Sequence, residues 1–114
     1  MKYQKKLETI RDNEPNTIRA AVAQDILDSE DGEMYLRDLL QHGCQSGMVP
    51  GPAYYHDTKE FYIEYIDEID ELREEMEESI GEPLKIGIPS YNWLAWFGYE
   101  ETARKIADEL SIEI

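Results

Sequence analysis

The sequence has few of the features that build disulfide-linked, secreted or membrane-spanning proteins. It contains one cysteine, Cys44, among 114 residues, so a disulfide within the chain is excluded. It has no run of about 18 apolar residues, and residues 1–6 lack the apolar stretch of a secretory signal. We therefore expect a cytoplasmic protein that does not span a membrane.

Basic residues are also scarce. The chain has 11 lysines and arginines and 26 aspartates and glutamates, which gives a formal charge of −15. The imbalance is concentrated in residues 57–114, which carry 17 acidic and five basic side chains. Such a field repels nucleic acid and anionic lipid. We expect no direct binding to either, and we expect the partner to be a basic protein surface.

Catalytic and metal-binding motifs are sparse. No glycine-rich phosphate loop follows a strand, and no aspartate-rich loop has calcium-ligand spacing. The cluster best suited to chemistry is His42, Cys44, His56 and Asp57, which suggests either a cysteine nucleophile or a zinc site. Cys44 follows a predicted helix C-terminus, where the helix dipole opposes thiolate formation. We therefore expect no enzyme, cofactor or metal, and a Cys44-dependent enzyme or metal protein is the third alternative.

Apolar spacing predicts a mainly α fold, a single domain over residues 1–114 with about five to six short helices. The first helix covers the first dozen residues, and the second runs to about Leu27, with Pro15 in its first turn and Asn13 or Asn16 as its cap. The third runs from Glu33 to Gly43. Their predicted buried residues are Tyr3, Leu7, Ile10, Ile18, Val22, Ile26, Tyr35, Leu36, Leu39 and Leu40.

Residues 43–56 contain three glycines and two prolines among apolar residues, which predicts an ordered, packed loop. The next segment predicts one long acidic helix over about 58–80, capped by Asp57 or Thr58 in a capping box with Glu60 and ending before Gly81. Its core-facing residues are predicted to be Tyr62, Tyr65, Ile69, Leu72 and Met76.

The last third of the chain predicts three short elements. Alternating apolar residues suggest a short strand near 84–88. Ser90 is expected to cap an aromatic helix that Gly98 ends, with Trp93, Trp96, Phe97 and Tyr99 mostly in the core. A final helix opens at Glu100 and turns inward Ala103, Ile106, Ala107 and Leu110, with Arg104 and Lys105 outward.

The predicted acidic helix carries ten acids and two basic residues between Lys59 and Glu78. Six acids recur at steps of three and four, and we name them the acidic stripe: Glu60, Glu64, Asp67, Glu71, Glu74 and Glu78. Neighbours at these steps lie about 5–6 Å apart, close to the separation of successive phosphates along a nucleic-acid strand. The stripe is either a solvated face or a nucleic-acid mimic that occupies a basic groove.

We predict that the partner-binding residues are the acidic stripe together with Glu68 and Glu75. Tyr54, Tyr55 and Trp93 are predicted secondary contacts. An alternative function is a structural or regulatory module that binds through the 43–56 loop and the aromatic segment 91–99.

Distinctive motifs of the chain are HGCQSGMV over residues 42–49, YY at 54–55, FY at 61–62, GEPLKI over 81–86 and WFGYEETA over 96–103. Together they resemble a family of small uncharacterised acidic proteins, with a domain of unknown function, that bacteriophages, plasmids and bacterial chromosomes encode. The resemblance supplies no activity, cofactor or catalytic residue. It implies a mobile-element context, in which small acidic proteins often block host defence complexes, as anti-restriction or anti-CRISPR inhibitors do.

Overall fold

The computed structural model describes residues 3–42, 58–83 and 88–112, and most of these residues are helical. In these ranges the helices are α1 (Gln4–Asn13), α2 (Ile18–Asp28), α3 (Gly32–His42), α4 (Thr58–Glu64), α5 (Ile66–Ile80) and α6 (Ile88–Glu109). No strand occurs within them. The predicted mainly α fold is confirmed.

Helix α6 is the centre of the helix packing. It contacts α2, α3, α4 and α5, while α1 packs mainly against α2. Its inward face is fully buried and includes Leu94, Tyr99 and Ile106. The predicted inward positions of the last helix, Ala103, Ile106, Ala107 and Leu110, are all buried as well. The core therefore lies around α6, and the other helices are positioned by what they bury against it.

Helix α2 begins later than the sequence predicts, and its cap is Thr17. The Thr17 backbone is extended, and its Oγ1 accepts a hydrogen bond from the Ala20 amide at 3.1 Å. The expected caps Asn13 and Asn16 are wrong, since Asn13 ends α1 and Asn16 adopts a left-handed backbone with φ 64°. A cap residue needs an extended backbone, which Asn16 lacks. Pro15 therefore lies in the turn before the helix.

The predicted inward faces of the first three helices are confirmed. Leu7, Ile18, Val22 and Ile26 are buried, and so are all four inward residues of α3, namely Tyr35, Leu36, Leu39 and Leu40. Tyr3 and Ile10 are partly buried against the same cluster. The spacing of the large apolar residues was sufficient to find these positions, although α2 also buries Ala20, Ala23 and Asp25.

Residues 58–80 are helical as predicted except at Tyr65, which separates α4 from α5. The Tyr65 amide still donates to the Phe61 carbonyl at 3.1 Å, and its carbonyl accepts from the Ile69 amide at 3.0 Å. Phe61 lies in the core four positions before Tyr65, on the same side of the segment, and its ring centroid is 4.8 Å from that of Tyr65 and 6.0 Å from that of Tyr99. Tyr62, which the sequence placed on the inward face, is only partly buried.

The predicted C-terminal end of this segment is confirmed, and its predicted N-terminal cap lies outside the described residues. Helix α5 ends as predicted, at Gly81, whose φ is 79° and whose amide donates to the Glu77 carbonyl at 2.8 Å. At the other end, Asp57 and the side chain of Thr58 lie outside the described residues, so the predicted capping box is not described.

Helix α6 runs through two positions where the sequence predicted boundaries. Ser90 lies within the helix and does not cap it, and Gly98 does not end it. A helical glycine costs about 1 kcal/mol, whereas burying one large apolar side chain such as Leu94 stabilises by about 1.5–3 kcal/mol. The burial of side chains before and after Gly98 therefore outweighs the free-energy cost of a glycine inside the helix. Of the predicted strand, Ile88 is helical and residues 84–87 lie outside the described part of the chain.

A buried polar network joins three helices in the core. Asp25 of α2 is only 4% exposed and accepts a hydrogen bond from the Tyr99 hydroxyl of α6 at 2.7 Å. The Tyr35 hydroxyl of α3 bonds in turn to the Tyr99 hydroxyl. Because Tyr99 has one proton and donates it to Asp25, Tyr35 is the donor in the second bond. Burial, reinforced by Tyr35 and Asp25, raises the pKa of Tyr99 well above its usual value, so its proton is firmly held.

Replacing Gly98 by alanine should stabilise the protein by about 0.5–1 kcal/mol, because alanine is the better helix former. The added Cβ would meet Leu72 Cδ2 at 3.4 Å and Ile18 Cδ1 at 3.8 Å, which are ordinary contacts. The matched variant Gly81→Ala has open space but a left-handed backbone, and it should destabilise by about 1 kcal/mol. Urea unfolding of both variants tests this, and two changes of the same sign would contradict it.

Tyr99→Phe should lower the free energy of unfolding by about 1–3 kcal/mol, because it removes a donor from the buried Asp25 carboxylate. Tyr35→Phe should cost less, since it removes a donor from a hydroxyl that keeps its own bond to Asp25. Chemical denaturation of the two single variants and the double variant measures both effects and their coupling. Equal losses in the single variants would show that Tyr99 has no special role.

Candidate functional site

The acidic stripe is exposed along its whole length. Helix α4 supplies Glu60 and Glu64, and α5 supplies the other four residues, Asp67, Glu71, Glu74 and Glu78, all of them exposed. On α5 these four follow one another at steps of four, three and four, so they share one face. The opposite face of α5 is anchored by Ile69, which is fully buried. The stripe is thus carried on two helices joined at Tyr65, and not on one continuous rod.

Arg73, the one basic residue of α5, does not neutralise the stripe. Arg73 forms ion pairs with Asp70 at 3.8 Å and Glu77 at 3.5 Å, and neither residue belongs to the stripe. Five residues of the stripe and the neighbouring Glu75 form no ion pair within the described part of the chain. These six exposed carboxylates are Glu64, Asp67, Glu71, Glu74, Glu75 and Glu78. Their charges are therefore presented to solvent.

Glu68 differs from the other predicted partner-binding residues because it is engaged inside the molecule. It is half-buried, and its Oε2 accepts a hydrogen bond from the Ile18 amide at 2.9 Å. That amide is the first of α2, where helix amides lack partners within the helix and a negative charge is favourable. Glu68 therefore holds the start of α2 against α5.

The surroundings of Glu68 act on its charge in opposite directions. Burial raises the pKa of Glu68 above its usual value, the Ile18 amide lowers it, and neighbouring Glu71 raises it again. Fifty residues separate Glu68 from Ile18, so no local sequence signal could have identified this contact.

A shallow groove beside the stripe adds carboxylates from a second helix. It lies between α5 and α6, has a volume of about 170 Å³, and is lined in part by the acidic residues Glu68, Glu71, Glu75 and Glu101. Ile18, Leu72 and Gly98 supply apolar lining, and Lys105 is the one cation among the described lining residues. The acidic surface thus extends beyond the helices on which the sequence placed it, and Glu101 is the residue that sequence reasoning missed.

Tyr65 lies beneath the acidic surface and experiences its field. The residue is buried, and the pKa of its hydroxyl is raised to about 12, first by burial and then by the nearby charges of Glu64, Glu68 and Asp25. The Tyr65 hydroxyl therefore stays protonated over the whole neutral range, and it adds no charge of its own to the surface.

Other predicted residues lie wholly or partly outside the described residues. Tyr54, Tyr55, Cys44, His56 and Asp57 fall in the range 43–57, which is not described. His42 and Trp93 lie in α3 and α6, but their side chains are outside the described part. Of the remaining aromatic residues, Tyr99 is fully buried as predicted, and Trp96 and Phe97 are half-buried.

Residues 3–42, 58–83 and 88–112 lack two further features, a metal-binding cluster and a membrane-spanning helix. No group of three or more histidine, cysteine, aspartate or glutamate side chains in those ranges is placed to hold a metal ion. None of the helices described has both the length and the apolar character needed to cross a membrane.

Glu68→Ala should destabilise the protein by about 1 kcal/mol, because it removes the carboxylate that caps α2. Glu71→Ala changes an acid three positions further along α5, on the exposed stripe. It should be neutral or slightly stabilising, because it relieves like-charge repulsion. Thermal and urea unfolding of the two variants in low salt measure the difference. Equal stability of the two variants would show that the Glu68 cap contributes nothing.

A family model described as a domain of unknown function (DUF7222) matches residues 15–112, from the turn before α2 to the end of the described chain. No curated protein and no solved structure matches the chain. Because the family model covers most of its length, the chain belongs to the DUF7222 family of domains of unknown function.

Proposed function

We propose that this protein is a non-enzymatic binding module that places its acidic stripe against a basic surface of another protein. One observation carries the proposal. The six exposed carboxylates Glu64, Asp67, Glu71, Glu74, Glu75 and Glu78 form no ion pair within the described part of the chain. A basic partner would supply the counter-charges that the molecule's own described residues do not.

The stripe is also well suited to binding because its backbone is already ordered. Ile69 and Tyr65 anchor the two helices in the core, so their carboxylates are held in register before a partner arrives. Fixing the backbone in advance lowers the entropic cost of association. The charges themselves mainly accelerate the encounter and select the partner, while buried contacts set the lifetime of the complex.

The partner we propose is a nucleic-acid-handling complex, because such proteins present grooves lined with lysine and arginine that follow a phosphate backbone. The Cβ atoms of stripe neighbours on one helix lie about 5–6 Å apart, which approaches the spacing of successive phosphates. By occupying the groove, the protein would inhibit the complex. With the resemblance to proteins of bacteriophages and plasmids, this supports an inhibitor of host defence, of the anti-restriction or anti-CRISPR type.

A displacement assay tests the proposal directly. A fluorescent DNA duplex is bound to each of a panel of purified restriction enzymes and CRISPR effector complexes, and the protein is titrated in while anisotropy is followed. We expect displacement from at least one of them, weakening sharply between about 50 mM and about 200 mM salt because the contacts are ionic.

Two charge-reversal variants separate the stripe from the net charge. The first changes four stripe residues to lysine: Glu64, Asp67, Glu71 and Glu74. The control changes four exposed acids elsewhere to lysine, and these are Asp28, Glu30, Asp38 and Asp108. The stripe variant should lose displacement by at least about tenfold, and the control should keep most of it. Equal behaviour of the two variants, with both folded by circular dichroism, would refute the stripe as the binding surface.

A further inference from the structure

Two large apolar side chains are exposed where the two acidic helices α4 and α5 meet. Ile63, near the end of α4, is 57% exposed, and Ile66, the first residue of α5, is 41% exposed. They lie three positions apart, on either side of Tyr65. The other large exposed apolar residues in the described ranges, Met34 on α3 and Ile80 at the end of α5, are well separated from this pair in the sequence.

The surroundings of the pair are strongly charged. Asp67 follows Ile63 by four positions and Asp70 follows Ile66 by four, the steps at which helix side chains are surface neighbours. Single exposed apolar residues are common, but an apolar pair beside charged residues has the composition of a protein interface, with an apolar centre and a polar rim. A groove that binds phosphate alone would give these isoleucines nothing to contact.

We propose that Ile63 and Ile66 form the apolar centre of the docking surface, and that its occupant is a basic amphipathic helix of the partner. This inference rests on the proposed function and specifies the partner's chemistry. An amphipathic helix presents apolar side chains at steps of three and four, with lysine and arginine on both sides. That arrangement complements an apolar pair with carboxylates beside it.

A second copy of this chain does not fit the same face. The segment from Lys59 to Glu78 carries ten acids and two basic residues, so two such faces would repel one another. The occupant must bring cations as well as apolar groups, which selects a basic partner over self-association.

Two synthetic helical peptides of equal length and charge test the proposal. One has lysine with leucine along one face, and the other has glutamine in place of every leucine. Binding to the fluorescently labelled peptides is measured by anisotropy. The wild-type protein should bind the leucine peptide about tenfold more tightly than the glutamine peptide, because only the leucines reach the isoleucine pair.

The double variant Ile63→Gln with Ile66→Gln should bind both peptides with the weaker affinity. The matched control, Met34→Gln with Ile80→Gln, removes two other exposed apolar residues and should keep the preference. Equal binding of the two peptides by the wild-type protein, or an unchanged preference in the Ile63 and Ile66 variant, overturns the apolar centre while leaving the acidic stripe intact. Failure of both peptides to bind overturns the proposed function as well.

Discussion

The hydrogen bond from the Tyr99 hydroxyl to the Asp25 carboxylate fixes how the helices of this protein meet. Asp25 is the one charged side chain buried in the described core, and an unpaired carboxylate there would cost several kcal/mol. The hydroxyl of Tyr99 must therefore lie within hydrogen-bond distance of Asp25, and this requirement fixes the position of α6 along α2. Tyr35 completes the arrangement by donating to Tyr99, so that α3 is held to the same point. Apolar packing alone would tolerate some sliding of these helices, whereas this network is satisfied in one register only.

That register determines where the acidic surface lies. With α6 fixed on α2, Leu72 of α5 and Ile18 of α2 both lie close to α6 at Gly98. The same approach brings Glu68 within 2.9 Å of the Ile18 amide, so the carboxylate caps α2 and ties α5 in place. With Glu68 and Ile69 directed inward, the helix must turn its remaining acids outward. The exposure of the stripe is therefore a consequence of core contacts on the other side of α5.

Local patterns in the sequence predicted those features that depend on one helix at a time. Leu36 and Leu39 face inward because their spacing marks one side of α3, and Gly81 ends α5 because few other residues adopt its left-handed backbone. Features that depend on contacts between distant segments could not be found in this way. No local pattern singled out Asp25, because its partner Tyr99 is 74 residues away, and Gly98 was wrongly predicted to end a helix, because burial on both sides of it keeps the helix intact. The stripe was predictable because its residues share two consecutive helices. The internal role of Glu68 was not, because its partner is 50 residues away.

Repulsion among the exposed carboxylates links the folding of this protein to the binding of a cationic partner. Like charges at helical neighbour positions cost about 0.2–0.5 kcal/mol per pair, and Glu71 alone faces Asp67, Glu74 and Glu75 at such steps. The acids near the end of α5 also oppose the helix dipole, and Arg73 compensates only Asp70 and Glu77. A small domain has about 5–15 kcal/mol of net stability, so this repulsion is a substantial fraction of it. A cationic partner that binds the folded form alone would remove part of the repulsion and stabilise the protein in proportion to its affinity. The same carboxylates that weaken the isolated fold would thus favour its complex.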